Sequence, residues 1–180
     1  QVWNGSEVGG SLGFAHTTVK RYFDLLCGAM VLRELPPWFE NIGKRIVKSP
    51  KVYVRDSGIL HSLLGLPGFE NINGHPKLGA SWEGFAIEQV LRFGDSRHAY
   101  FWATQSGAEL DLLLFKGSKR LGFEFKYGDA PAMTKSMHIA LHDLSLDQLY
   151  VVHPGRDSFA LNERTEAVSL SDALARLQRG

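Results

Sequence analysis

The chain has 180 residues, 44% of them hydrophobic, 22% charged and 11% aromatic, which excludes a disordered segment or a large multidomain machine and allows one domain, or one with a small companion. With 20 Lys and Arg against 19 Asp and Glu, the formal net charge of +1 gives no global attraction toward nucleic acid or membrane, so any basic surface must be local. The single cysteine, Cys27, excludes an intrachain disulfide and cannot build a structural zinc site alone. A reducing, cytoplasmic location is expected, since no apolar run approaches the roughly 18 residues of a membrane span and no basic segment leads into an apolar one. The opening Gln1-Val2-Trp3, without Met, predicts a piece of a longer or processed polypeptide.

A short helix is predicted over 7–12 and a longer one over 16–30, with Gly13 between them. In the longer one Val19, Tyr22, Phe23, Leu26 and Met30 recur at spacings of three and four, so it is amphipathic and the pair reads as a helix-turn-helix. Thr17 and Thr18 would cap it or touch phosphates. Pro36-Pro37 stops the helical pattern. The next segment carries Lys44, Arg45, Lys48, Lys51 and Arg55 with no acid between Asn41 and Arg55. Two uses fit this one basic cluster: a phosphate-contacting wing beside the helices, or a solvated strand kept soluble by its charges. From 66 to 79 the residues Pro67, Gly68, Asn71, Asn73, Gly74, Pro76 and Gly79 mark a linker, dividing a part over 1–65 from one over 80–180.

The second part opens with a helix over 81–93, capped by Ser81, followed by strands over 98–104, 109–115 and 121–127. A helix over 132–144, a strand over 148–153, a strand ending near 170 and a terminal helix from 171 complete it. The fold class is α/β (α+β), with an αβββαβ core.

On the 81–93 helix, Trp82, Phe85, Ala86, Ile87, Val90, Leu91 and Phe93 trace a broad apolar arc. Glu83 falls inside that arc and needs a Lys, an Arg, a metal or a hydrogen-bonding strand. Glu88 falls beside Gly84 and Arg92 and is expected to be solvated. Strict alternation puts Glu109, Asp111 and Leu113 on one face of their strand, opposite Leu110, Leu112 and Leu114. On the next strand Glu124 and Lys126 share a face opposite Phe123, Phe125 and Tyr127. A hairpin bringing Asp111 to Glu124, with Glu83 from the helix, would form an oxygen-rich site for a hard cation such as Mg2+. Lys126 would orient an attacking water and offset charge building on a phosphate. The plainer alternative is a half-exposed sheet face with a weak Glu124–Lys126 surface pair.

The set Glu83, Asp111 and Glu124-Phe125-Lys126 in this element order resembles the restriction-endonuclease-like core of PD-(D/E)XK nucleases. The stretches Lys51-Val-Tyr-Val-Arg-Asp-Ser-Gly-Ile-Leu60, Trp82-Glu-Gly-Phe, Gly107-Ala-Glu-Leu-Asp111 and Gly122-Phe-Glu-Phe-Lys126 resemble the C-terminal part of uncharacterised prokaryotic AAA-type ATPases. There an ATPase domain precedes a winged helix and a nuclease-like domain of unknown function. The resemblance implies a winged-helix-like N-terminal part and a nuclease-like domain with a mixed central sheet. It implies Asp111, Glu124 and Glu83 as metal-binding acids for Mg2+ or Mn2+, the Phe125 carbonyl as a further ligand, and Lys126 as the catalytic lysine. Lys44, Arg45, Lys48 and Lys51 would contact nucleic acid. No G-x-x-x-x-G-K-[ST] occurs, so ATP would act only through a domain outside this chain.

His138 and His142 stand four apart, a spacing that can bind zinc, but lack the H-E-x-x-H glutamate; an exposed helical face or a DNA-backbone contact is the rival use. Two functions from different classes remain. One is a Mg2+-dependent nuclease cutting DNA. The other is a catalytically inactive nuclease-fold module that binds nucleic acid or a protein partner and regulates the ATPase. The expected partners are DNA and that ATPase domain, with a homo-oligomer allowed and no membrane.

Overall fold

Gly13 takes the left-handed backbone at φ 70°, where a side chain is strained, and its N–H closes α1 (Gly5–Leu12) onto the Gly9 carbonyl. Asn4 caps the other end by accepting from the Glu7 amide. α2 (His16–Gly28) follows Ala15 with no side-chain cap, so neither Thr17 nor Thr18 caps it. Of its apolar arc, Val19 and Phe23 are buried, with Trp3 stacked on Phe23 at 4.5 Å. Tyr22, Leu26 and Met30 are exposed, because one narrow stripe is enough to seat the helix. The structure, a computed structural model, describes residues 2–39, 45–94, 96–128 and 130–179.

β1 (Leu32–Leu35) pairs antiparallel with β2 (Lys51–Val54), Leu35 opposite Lys51. Residues 36–38 and 45–47, which lie between these strands in the chain, bond to the main sheet. Trp38 N–H donates to the Phe101 carbonyl at 2.7 Å, Phe101 N–H to Pro36, and Val47 N–H to Ala103 at 2.9 Å. These bonds cover a sheet edge that would otherwise present unpaired backbone groups. α3 (Ser57–Leu63), capped by Asp56, leads to α4 (Phe69–Asn73), a short helix inside the expected linker. α5 (Leu78–Phe93) starts after Lys77, one turn earlier than expected. Ser81 therefore lies within it, buried, and meets His61 Nε2 at 2.7 Å instead of capping.

The main sheet has six strands, in the order β3 (Ala99–Ala103), β4 (Glu109–Lys116), β5 (Lys119–Phe125), β6 (Gln148–His153), β8 (Thr165–Ser169), β7 (Phe159–Asn162). β3, β4 and β5 form an antiparallel meander, while β5, β6 and β8 run parallel, so the sheet is mixed. α6 (Lys135–Asp143) makes the crossover from β5 to β6 and covers one face, where Met137, Ala140 and Leu141 join Trp102, Leu110, Leu113 and Val151. α5 and α7 (Leu170–Arg179) cover the other face, packing Ile87, Val90 and Leu177 on Phe101, Leu112, Phe123 and Val168. Leu35 and Tyr53, from before the expected linker, belong to this same core. The hairpin strand β7 has an exposed side-chain pattern, and for that reason escaped apolar alternation.

Strict alternation fails on β4. Pairing advances from Tyr100 to Trp102 on β3 while moving from Leu113 to Leu110 on β4, an extra residue that makes a β-bulge. Leu110 and Leu113 consequently share one core while Leu112 and Leu114 share the other, which overturns the expectation that Leu110 lies opposite Leu113. Among the described residues no helix is long and apolar enough to cross a membrane.

Candidate functional site

The bulge ends next to Asp111, and the β4–β5 ladder stops at Leu112 opposite Phe123. Beyond that point the Asp111 side chain takes over from the ladder: Oδ2 accepts the Phe125 amide at 3.1 Å. β5 is held on its other side by β6, with Lys126 N–H donating to the Val152 carbonyl. The carboxylate of Asp111 thus sits, buried, where two strands fork.

Its other oxygen, Oδ1, accepts from Lys51 Nζ at 2.9 Å. Lys51 reaches Glu83 Oε1 at 3.2 Å and also pairs with Glu109. Glu83 further accepts from the Tyr53 hydroxyl at 2.6 Å. Lys51 is buried and so cannot be a surface phosphate contact; alternation on β2 turns Lys51 and Tyr53 inward together. Burial works against its charge, yet Asp111 and the other acids hold the ammonium well above its usual range. Burial pushes Glu83 up, as does the charge on Asp111, and the Lys51 and Tyr53 bonds offset part of that.

Glu124 is buried on β5, Oε1 taking the Lys126 ammonium at 2.7 Å and Oε2 having no hydrogen-bond partner among the described residues. Burial, and then repulsion from Asp111, pushes its carboxyl up to about 7. Lys126 is half-exposed; burial opposes its charge, but Glu124 outweighs that and holds the ammonium above its usual range. The Glu124–Lys126 pair is therefore not a surface pair at its acid end.

Asp111, Glu124, Lys126 and Glu83 are brought into one electrostatic neighbourhood, with Lys51 between Glu83 and Asp111. They do not close into one ligand set: among the described residues no group of three or more His, Cys, Asp or Glu converges to hold a metal. Arg45 and Lys48 are exposed, as a phosphate contact requires, and Lys44 lies outside the described residues. His138 and His142 are exposed on α6.

Sequence reasoning missed Lys51 and Tyr53 as partners of the acids. The available signal was Glu83, an inward acid in need of a cation, together with the Lys51-x-Tyr53 alternation. It also misplaced Glu88, which is buried and accepts from Arg33 Nη2 at 3.1 Å and Arg55 Nε at 3.0 Å. The helix side that carries Glu88 and Gly84 is covered by β2: a Cβ on Gly84 would lie 3.4 Å from the Tyr53 ring.

Residues 78–173 match a family model described as a domain of unknown function (DUF4143), and residues 1–70 match another described as a domain of unknown function (DUF8612). Uncharacterised proteins of Mycobacterium bovis and Mycobacterium tuberculosis are each 45% identical over 174 residues, covering 97% of this chain. The chain spans 40% of the length of these relatives. No solved structure matches it.

Proposed function

This chain belongs to the DUF4143 family, and we propose that it carries a nuclease-like site for Mg2+- or Mn2+-dependent hydrolysis of phosphodiester bonds in DNA. The observation that carries this reading is Glu124: a buried carboxylate with one oxygen unpartnered among the described residues, facing the charge of Asp111 and bonded to a half-exposed lysine. The charge of Asp111 raises the cost of ionising the buried Glu124, and a hard cation relieves that cost. Mg2+ needs only one or two protein carboxylates, with waters and substrate oxygens completing its shell, so the donors at hand fit it without a third acid. Asp111, Glu124 and the Phe125 carbonyl would hold the ion. When bound, it polarises a phosphoryl oxygen and makes a water acidic enough to attack.

The chain's own residues do the rest. Asp111 ties its carboxylate to the Phe125 amide, which fixes the fork between β4 and β5. Glu124 holds the Lys126 ammonium at the solvent boundary, where it meets a phosphate and offsets charge developing in the transition state. In this reading the 80–180 part is a PD-(D/E)XK-like domain, and the two helices with the β1–β2 pair are a winged-helix-like part that sets Arg45 and Lys48 against DNA phosphates. Family members are commonly found with AAA ATPases, which supports an ATPase elsewhere in the polypeptide as partner.

A second reading has its own observation. The ammonium of Lys51 already pairs with Glu83, Glu109 and Asp111, as it would in an inactive module whose acids serve the fold and whose surface binds nucleic acid or a protein. Incubating plasmid DNA with the chain in Mg2+ and in Mn2+ separates the two. Lys126→Ala is expected to lower cleavage by about 100-fold or more while Mn2+ and DNA binding persist. Undiminished cleavage by that variant overturns the nuclease reading. A folded wild type that binds DNA and cuts nothing supports the inactive module.

A further inference from the structure

The acids proposed to hold the ion already share a cation that the chain itself supplies. Lys51 lies on β2, in the part matched by the other family model, and its side chain is only 6% exposed. Its Nζ is 2.9 Å from Asp111 Oδ1 and 3.2 Å from Glu83 Oε1, and it also pairs with Glu109. All three carboxylates therefore direct oxygens at one ammonium, on the side of Asp111 away from the Phe125 amide. An ammonium so enclosed cannot reach a phosphate on the surface. It has the position of a counter-ion.

We propose that the Lys51 ammonium holds the place of a divalent cation on Asp111, so that metal binding and the Lys51–Asp111 bond exclude each other. The inference rests on Asp111 and Glu124 being cation ligands. The physical reason is charge: a +1 and a +2 centre on the same buried carboxylate repel strongly where water screens poorly. Conversely, three acids without Lys51 repel one another until another cation replaces it. The competing charge thus comes from the N-terminal strand pair, so β2 sets how readily the acid cluster takes a cation. The strand order makes this direct: Lys51 is the first residue of β2 and pairs with Leu35 at the end of β1.

Calorimetric titration with Mn2+ tests it, on the full chain as wild type, Lys51→Met, Lys51→Gln, Asp111→Asn and Lys51→Gln with Asp111→Asn. Lys51→Gln keeps N–H donors for the acids and removes only the charge. Mn2+ is expected to bind both Lys51 variants about tenfold or more tighter than wild type, and to raise their melting temperature more. Adding Asp111→Asn should cancel both gains. Variants that unfold alone and fold with Mn2+ give the same support. If wild type binds Mn2+ through Asp111 and the Lys51 variants bind it no better, the competition is overturned and the metal site stands. If wild type and folded Lys51 variants all fail to bind Mn2+, the metal-site reading falls and the competition with it. Lys51 variants that stay unfolded with and without Mn2+ also overturn the proposal, since Lys51 is then a structural pin that no cation replaces.

Discussion

Glu124 has the most to gain from a cation. Burial, and then Asp111, pushes its carboxyl from the model-compound value of 4.5 to about 7, so the folded state holds a proton that the unfolded chain has already released. Such a group favours the fold fully below about pH 4.5, and that contribution is lost as pH rises through about 7. In chelator, wild type should lose stability relative to Glu124→Gln between about pH 5 and pH 7.5, by on the order of 3 kcal/mol if the full shift is realised. Thermal melts of both proteins across that range measure the difference, and parallel curves would show that Glu124 carries no such strain. Added Mg2+ should flatten the wild-type loss, because a bound cation favours the charged form. The acids themselves were legible as residue types at their spacing, and Glu83 was legible as a group in need of a partner. Which partner it takes, Lys51 with Tyr53, was not, since Lys51 stands in a run of basic residues that reads equally well as a solvated strand.

Elements decide what periodicity leaves open. The helical pattern of α5 correctly marks Ala86, Ile87, Val90 and Leu91 as core. It treats the opposite side as solvent, and β1–β2 covers that side, so Glu88 is buried between Arg33 and Arg55. The two guanidiniums hold its carboxyl below the usual range despite burial. Glu88→Ala leaves two partly buried arginines without their acid and should cost about 3 kcal/mol or more. Urea unfolding reads this directly; a loss within about 0.5 kcal/mol, the usual size of a surface change, would contradict the buried network. The β4 bulge follows the same logic. Alternation finds the strand but cannot report an inserted residue, because a bulge is specified by what β3 and β5 each require of β4 and not by β4 alone. Gly122 shows the converse. A Cβ there would fall 2.6 Å from Leu146 Cδ1, a close approach that one glycine on a strand only hints at.

At the scale of the whole molecule, the two matched regions share structure across the boundary between them. Leu35 and Tyr53 join the core under α5, Ile46 joins the core under α6, and Pro36, Trp38 and Val47 bond to the edge strand β3. A fragment of 78–180 would lose these contacts, expose the β3 edge and leave Asp111 and Glu83 without Lys51. It is therefore expected to bind a hydrophobic dye and melt without a cooperative transition, whereas the full chain melts cooperatively. A cooperative fragment melt would instead make the 78–180 region independently stable. The sequence by itself determined the helices α1, α2, α5, α6 and α7, the strands β3 to β6 and β8, and the apolar stripe of α5 at Ala86, Ile87, Val90 and Leu91, because periodicity is a local property; it left out α3, α4 and β7. Only the tertiary structure decided that Lys51 lies among the acids, that Glu88 is enclosed, and that Asp111 sits at a bulged fork. Each depends on contacts between residues far apart in the chain, such as Lys51 and Asp111, and a one-dimensional pattern carries no term for them.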